Sequence, residues 1–152
     1  MLKIGDPAPD FELSDETGKK VSLSGLSGQS VVLVFYPLDF SPICTKELHE
    51  ITSHKDRYES AHAKVFGISI DSKYTHAAFK KAEGLSASLL ADFHPKGKVA
   101  QLYGVYMDEA GIAKRGTFVV DKEGILRGIT INGPGEARNE AAYFEQLSTC
   151  SV

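Results

Sequence analysis

The sequence predicts an α/β fold in which helices flank a mixed central sheet. Short apolar, β-branched runs alternate along the chain with segments whose apolar residues recur at helical spacing. Near the carboxyl end, two such runs are separated only by a turn sequence, which adds an antiparallel hairpin to the sheet. The chain has 152 residues, of which 42% are hydrophobic and 24% charged, so we expect residues 1–152 to form one domain.

Four segments have the pattern of strands. The run at 31–36, Val-Val-Leu-Val-Phe-Tyr, is continuously apolar, as is typical of a strand buried on both faces of a sheet. Residues 121–124, Asp-Lys-Glu-Gly, form a turn between the last two segments. A further hairpin is predicted around Phe11 to Leu23, as an amino-terminal extension of the sheet. The four predicted strands are 31–36, 64–70, 117–120 and 125–131.

Helical periodicity occupies the segments between the strands. Leu48, Ile51 and Tyr58 keep roughly helical spacing, with charged residues on the other faces. Further helices are predicted over 73–83, 96–103 and 136–147. The resulting order of elements, with a closing helix after the carboxyl-terminal hairpin, indicates a thioredoxin-like fold.

Composition excludes several classes of function. The net charge of -3 and the pI of 5.9 come without a basic stripe, so no nucleic-acid partner is expected. No apolar run approaches the roughly 20 residues of a membrane span. The amino terminus has charges and prolines where a signal peptide has an apolar run. We therefore expect a cytoplasmic protein without a membrane partner.

The two cysteines, Cys44 and Cys150, lie far apart in the sequence. This spacing is not that of a disulfide framework. The five histidines are scattered, three of them on predicted helix surfaces, and no pair has ligand spacing, so no metal site is expected. In a reducing compartment an isolated cysteine is either inert or nucleophilic, depending on its surroundings.

Cys44 falls in the first turn of a helix that follows the buried strand. Ser41 is a suitable N-cap residue, and Pro42 suits the first helical position. The free backbone N–H groups and the positive end of the helix dipole favour an anion there. A thiolate at Cys44 would therefore be stabilised and within reach of a substrate. The alternative is an inert cysteine that packs as a small hydrophobic residue.

Two segments resemble the peroxiredoxin family. Pro37, Ser41 and Cys44 match its signature Pro-x-x-x-Thr/Ser-x-x-Cys, and residues 115–121 look like the segment that carries its active-site arginine. The similarity extends from residues 5–11 to the final helix. Within the family, the sequence most resembles the one-cysteine alkyl hydroperoxide reductase E group, and the segments that carry this likeness are 35–38, 104–106 and 111–117.

The resemblance implies a thiol peroxidase. Cys44 would attack a hydroperoxide and become a sulfenic acid. Arg115 and Ser41 would assist with hydrogen bonds, and Pro37 would shield the thiolate from water. Arg115 would lie near Cys44 because its strand is expected to run antiparallel to the first core strand. Glu47 would orient an arginine, although a solvated helix carboxylate is the alternative. No metal, haem or flavin is needed, because sulfur carries the two-electron chemistry.

Cys150 leaves the catalytic cycle open. It could be a mobile resolving thiol that captures the sulfenic acid, or a frayed terminal cysteine with no role, which we favour. Some relatives carry a resolving cysteine five positions after the peroxidatic one, where this chain has His49. A one-cysteine cycle is therefore expected, with an external thiol or a thioredoxin- or glutaredoxin-like protein as reductant.

The expected substrates are hydrogen peroxide and organic hydroperoxides, with peroxynitrite as a further candidate. Leu38, Phe40 and Ile43 suggest an apolar rim that would tolerate alkyl chains. The resemblance also implies a homodimer formed through the edges of the active-site loops.

Two other classes of function compete with a peroxidase. A cysteine hydrolase would need a histidine base near Cys44, but the segment expected beside it carries an arginine. A non-catalytic thioredoxin-like binding module would not need the nucleophile and its expected partners to be retained together. A thioredoxin-type disulfide reductase is excluded because the chain has no Cys-x-x-Cys.

Overall fold

The computed structural model describes residues 1–133 and 136–150. Nine strands and five α-helices occur in these residues, together with a short 3₁₀ helix at Ser24–Leu26. The strands are β1 (Glu12–Ser14), β2 (Lys20–Ser22), β3 (Ser30–Phe35), β4 (Ala63–Ser69), β5 (Ser88–Ala91), β6 (Tyr106–Met107), β7 (Ile112–Ala113), β8 (Arg115–Val120) and β9 (Leu126–Asn132). The helices are α1 (Pro42–Ser53), α2 (Lys55–Ser60), α3 (Lys73–Glu83), α4 (Lys98–Leu102) and α5 (Glu140–Ser148).

Seven strands form one mixed sheet in the order β2-β1-β5-β4-β3-β8-β9. Strands β3, β4 and β5 are parallel, whereas β8 runs antiparallel to both β3 and β9. The amino-terminal hairpin of β1 and β2 joins the sheet through β5. This arrangement confirms the predicted thioredoxin-like α/β fold with its hairpin extension. Within the described residues, no helix is long and apolar enough to cross a bilayer.

Strand β3 lies at the centre of the molecule and is buried along its whole length. Its side chains alternate between two hydrophobic clusters, one on each face of the sheet. Val31, Leu33 and Phe35 pack in one cluster, and Val32 and Val34 pack in the other. Burial on both faces explains why this segment of the sequence is apolar without interruption.

Several predicted elements differ from the observed ones. The helix predicted after Cys44 is two helices, α1 and α2, that meet at His54, and α4 is shorter than the predicted helix 96–103. Strand β5 was not predicted, because its Ser-Leu-Leu-Ala sequence has no β-branched residue. Pairing with β4 and β1 outweighs this weak local preference. The small hairpin of β6 and β7 was not predicted either.

Candidate active site

A loop of six residues joins the buried strand β3 to helix α1. Ser41 has an extended backbone (φ -67°, ψ 143°) and occupies the N-cap position, and Pro42 is the first helical residue. The first helical hydrogen bond runs from the Thr45 N–H to the Ser41 carbonyl at 2.9 Å. The N–H groups of Ile43 and Cys44 precede this bond, so they have no acceptor within the helix. Cys44 therefore lies among free donors at the positive end of α1.

The Ser41 side chain does not cap the helix, contrary to a simple reading of the sequence. Its hydroxyl makes no hydrogen bond to a helix N–H. Within the described part of the chain, Ser41 Oγ is buried and has no hydrogen-bond partner at all. Because a buried hydroxyl without a partner is costly, this group is free to donate to, or accept from, a molecule that enters beside the loop.

Arg115 approaches Cys44 from the neighbouring strand. In the antiparallel pairing of β3 with β8, Phe35 lies opposite Gly116, so Arg115 lies beyond the end of β3 and beside the loop. Its Nη2 atom donates to Cys44 Sγ at 3.6 Å. This contact places a permanently charged hydrogen-bond donor against the sulfur.

The Cys44 sulfur is less accessible than the sequence suggested. Its side chain turns toward the sheet and is 0% exposed, in the cluster that contains Tyr36 and Leu48. The residues around it on the loop and the first turn are more open: Leu38, Phe40 and Ile43 are exposed apolar side chains. These are the three residues that the sequence predicted as an apolar rim, and all three are exposed.

Glu47 lies one turn after Cys44 and is buried rather than solvated. Its Oε1 atom accepts a hydrogen bond from Arg115 Nε at 3.2 Å. Its Oε2 atom lies 3.0 Å from Arg138 Nε, a close ion pair whose N–H direction falls short of a good hydrogen bond. The carboxylate is thus held between two arginines, one of which touches the sulfur.

Arg138 is a site residue that sequence reasoning missed. Its guanidinium is buried and donates to the Phe35 carbonyl, to the Gly116 carbonyl at 3.4 Å and to Thr117 Oγ1 at 2.8 Å. It thereby ties the end of β3 to the start of β8, the two places that carry the loop and Arg115. The only signal in the sequence was the polar Thr117 within an apolar strand, since a buried hydroxyl needs a partner.

Pro37 lies on the active-site loop, whereas the histidines make no hydrogen bond to the Cys44 sulfur in the described residues. Pro37 is half-buried in the loop, directly after Tyr36, and contributes no N–H donor. None of the five histidines hydrogen-bonds to Cys44 in the described residues, so a cysteine hydrolase would lack its base. The structure therefore brings together a cysteine, two arginines and a glutamate, with Pro37 and Ser41 on the same loop.

Cys150 lies at the opposite end of β3. Its thiol is beside the Ser30 hydroxyl and donates to the Gln146 carbonyl at 3.8 Å. It is 8% exposed, so it is packed rather than frayed as the sequence suggested. Burial, opposed in part by the Ser30 hydrogen bond, raises the pKa of the Cys150 thiol above its ordinary value.

The two cysteines lie near opposite ends of β3 and form no disulfide in this structure. Strand β3 runs from Ser30, beside Cys150, to Phe35, at the start of the Cys44 loop. Five steps of about 3.3 Å give a separation of roughly 17 Å between those strand ends. A disulfide requires Cα atoms within about 7 Å of each other. Both cysteines are accordingly free.

Comparison with known proteins agrees with this geometry. Residues 4–129 match the AhpC/TSA family. The chain is 41% identical to alkyl hydroperoxide reductase E of Mycobacterium tuberculosis over 153 residues, which covers all of both chains. Peroxiredoxin-2 of Rattus norvegicus is 40% identical over 85% of this chain and 69% of its own.

Solved structures show the same fold. The crystal structure of peroxidoxin BcpB from Mycobacterium tuberculosis superposes with a TM-score of 0.89 at 30% identity, and the match covers all of both chains. The crystal structure of Enterococcus faecalis AhpC gives a TM-score of 0.89 at 31% identity, over 97% of this chain and 92% of that one. Because residues 4–129 match the family and the relatives named above are peroxidases of this kind, the chain belongs to the AhpC/TSA family and is a peroxiredoxin, a thiol-dependent peroxidase.

Proposed function

We propose that Cys44 reduces hydrogen peroxide, organic hydroperoxides and peroxynitrite in a one-cysteine cycle. The thiolate attacks one oxygen of the O–O bond, a new S–O bond forms, and the other oxygen leaves. It leaves as hydroxide or an alkoxide, which takes up a proton, or, from peroxynitrite, as part of nitrite. Cys44 is thereby oxidised to a sulfenic acid and the substrate is reduced to water, an alcohol or nitrite. No cofactor enters this balance.

The observation that carries the proposal is the 3.6 Å contact between Arg115 Nη2 and Cys44 Sγ. The guanidinium is fixed by its second bond to Glu47, so it is oriented before the substrate arrives. Negative charge moves from sulfur to the leaving oxygen during the attack. A donor fork that can bond both atoms stabilises this transition state more than the starting thiolate. The partnerless Ser41 hydroxyl adds a second donor on the same loop.

The exposed rim of Leu38, Phe40 and Ile43 supports substrates that carry an alkyl chain. The same surface supports a homodimer, because three neighbouring apolar side chains around an active-site loop are a natural contact for a second copy. The proposed cycle needs an external thiol reductant, which a reducing cytoplasm would supply, so we also propose a cytoplasmic location.

The one-cysteine cycle is supported by the separation of Cys44 from Cys150 along β3. Without a resolving thiol in reach, the sulfenic acid condenses with an external thiol and releases water. A second thiol then reduces the mixed disulfide and regenerates Cys44. The reductant would be a small thiol or a thioredoxin- or glutaredoxin-like protein. The alternative is a bond between Cys44 of one copy and Cys150 of another.

Mass spectrometry after one equivalent of hydrogen peroxide, with a sulfenic-acid trap such as dimedone, tests the proposal. We expect the trap on Cys44 alone, and the same result in Cys150→Ser. The Cys44→Ser variant should consume no peroxide. A Cys44–Cys150 link in a non-reducing digest would overturn the one-cysteine cycle. An unmodified Cys44 that remains a free thiol would overturn peroxidase activity and favour a non-catalytic binding module.

A further inference from the structure

A second polar cluster lies beneath the active-site loop, and the peroxidase chemistry does not use it directly. His76, on helix α3, is 0% exposed, although no role was predicted for it from the sequence. Its Nδ1 atom lies 2.6 Å from Asp39 Oδ2, and its Nε2 atom lies 3.1 Å from the Leu90 carbonyl. Asp39 belongs to the loop between β3 and α1, two residues before Ser41.

Three groups surround the His76 ring and hold it in place. The Leu90 carbonyl faces Nε2, and the Asp39 carboxylate faces Nδ1, which also lies 3.5 Å from the Tyr36 hydroxyl. Tyr36 donates its hydroxyl to the other Asp39 oxygen at 2.5 Å. Burial and the Asp39 charge raise the pKa of Tyr36 well above its ordinary value, so it remains a donor.

Asp71 holds the backbone of the same loop residue. Its Oδ2 atom accepts hydrogen bonds from the Asp39 N–H at 2.9 Å and from the Ser69 hydroxyl at 2.5 Å. Asp39 is therefore bonded through both carboxylate oxygens and through its main chain. Both nitrogens of His76 already face acceptors, so hydrogen bonds account for the clustering of Asp39, Asp71 and His76.

Helix α3 also holds the next residue of the loop. Phe40 has a φ of 66°, a left-handed conformation that non-glycine residues seldom adopt. Its ring lies 4.9 Å from the ring of Phe79, centroid to centroid. Since His76 and Phe79 are one turn apart, a single face of α3 fixes two consecutive loop residues. A strained backbone next to a reactive site persists only where the surroundings hold it in this way.

We propose that His76 is a positioning residue for the peroxidase reaction. By holding Asp39, it fixes the loop from Pro37 to Ser41, and so sets the Ser41 hydroxyl and the Pro37 ring relative to the Cys44 sulfur. The proposal rests on the peroxidase function above, because it concerns the geometry that favours attack on an O–O bond. His76 itself need not touch the peroxide.

The test compares two reactions of the same sulfur. The rate of Cys44 oxidation by hydrogen peroxide depends on the donors that the loop holds around the O–O bond. Alkylation by iodoacetamide depends on the thiolate fraction and on access to the sulfur, but not on those donors. In His76→Leu, we expect the peroxide rate to fall roughly 10- to 100-fold, the cost of a misplaced catalytic group, while alkylation changes little. A fall in both rates by the same factor would overturn the proposal, as would an unchanged peroxide rate.

Conservative variants separate positioning from a general loss of stability. His76→Asn retains a donor toward Asp39, and Asp39→Asn can still bond a neutral His76, so both should recover much of the peroxide rate. Tyr103→Phe is the matched control, because it removes one buried hydrogen bond, 2.6 Å to the Pro9 carbonyl, on the other face of the sheet. We expect it to lower stability without changing the ratio of the two rates.

Two further outcomes distinguish the positioning role from misfolding of the variant and from failure of the proposed function. If His76→Leu does not fold, Asp39→Ala tests the same contact from the loop side, and an unchanged ratio of peroxide to alkylation rates there would overturn the proposal. If the unaltered protein itself fails to react rapidly with peroxide, the proposed function fails. If the unaltered protein and the His76 variant react equally fast with peroxide, the positioning role is refuted and the proposed function stands.

Discussion

The two cysteines lie beside opposite ends of the central strand β3. They differ in their polar neighbours rather than in burial. Cys44 is 0% exposed and Cys150 is 8% exposed, and both belong to one hydrophobic cluster. Cys44 accepts a hydrogen bond from the guanidinium of Arg115, whereas Cys150 donates its own proton to the carbonyl of Gln146. Cys44 has a charged donor at its sulfur, whereas Cys150 has a carbonyl acceptor and only a neutral hydroxyl, that of Ser30, as a donor.

This difference bears on what would make a buried thiol reactive. Burial disfavours a thiolate, and at Cys150 it outweighs the Ser30 hydrogen bond and the Arg127 charge, so the pKa of that thiol is raised. Beside Cys44, by contrast, lie the Arg115 guanidinium, which donates to the sulfur, and the free N–H groups at the start of α1. The contrast can be tested by making each cysteine more like the other.

The largest effect is expected from removing Arg115. In Arg115→Leu, Cys44 keeps its burial but loses its charged donor, so its surroundings approach those of Cys150. We expect the second-order rate with hydrogen peroxide to fall about 100- to 1000-fold, as when a donor to a developing oxyanion is removed. Stopped-flow kinetics with purified, folded protein measure this rate.

The matched control is an arginine at the other end of the strand. Arg127 donates to Asp121 at 2.7 Å, near Cys150. Arg127→Leu should leave the peroxide rate unchanged, because its charge lies far from Cys44. Equal rates in Arg115→Leu and the unaltered protein would remove Arg115 from the active site.

A smaller effect on the peroxide rate is expected from removing the Ser41 hydroxyl, and Ser30 provides the control. Ser41 lies on the loop before Cys44, with a buried hydroxyl that has no partner in the described residues, and Ser30 lies beside Cys150. Ser41→Ala should slow the peroxide reaction about tenfold, the worth of one hydrogen bond to a charged group. Ser41→Thr should retain the rate, and Ser30→Ala should not change it. A Ser41→Ala variant as fast as Ser30→Ala would contradict a role for that hydroxyl.

The sequence was sufficient for the strand, the loop and the helix start, because local patterns determine these features. The apolar run of β3 and the Ser41-Pro42 pair are visible in single stretches of sequence. Arg115 lies 71 positions from Cys44, and it could be placed only through the expected antiparallel pairing of its strand and the resemblance to a family.

Residues that act through tertiary contacts were beyond prediction. Arg138 follows a glycine-rich segment and looks like a surface residue until β3 and β8 present their carbonyls to it. His76 has helical neighbours that are polar on most sides, so its burial against Asp39 is not evident from periodicity. In both cases the polar partner lies on a distant segment, which a one-dimensional pattern does not report.

The smallest effect concerns the titration of Cys150, measured by iodoacetamide labelling of Cys44→Ser across pH. Because burial raises its pKa above the ordinary value of 9.0, the protonated form is favoured, and labelling should stay slower than that of a cysteine peptide until strongly alkaline pH. Arg127→Leu should slow it slightly more. That variant removes a cation that lowers the pKa and leaves the Asp121 charge, which raises it, unopposed. Labelling as fast as the peptide at neutral pH would show that the surroundings of Cys150 stabilise its thiolate after all, and the contrast between the two ends of β3 would not hold.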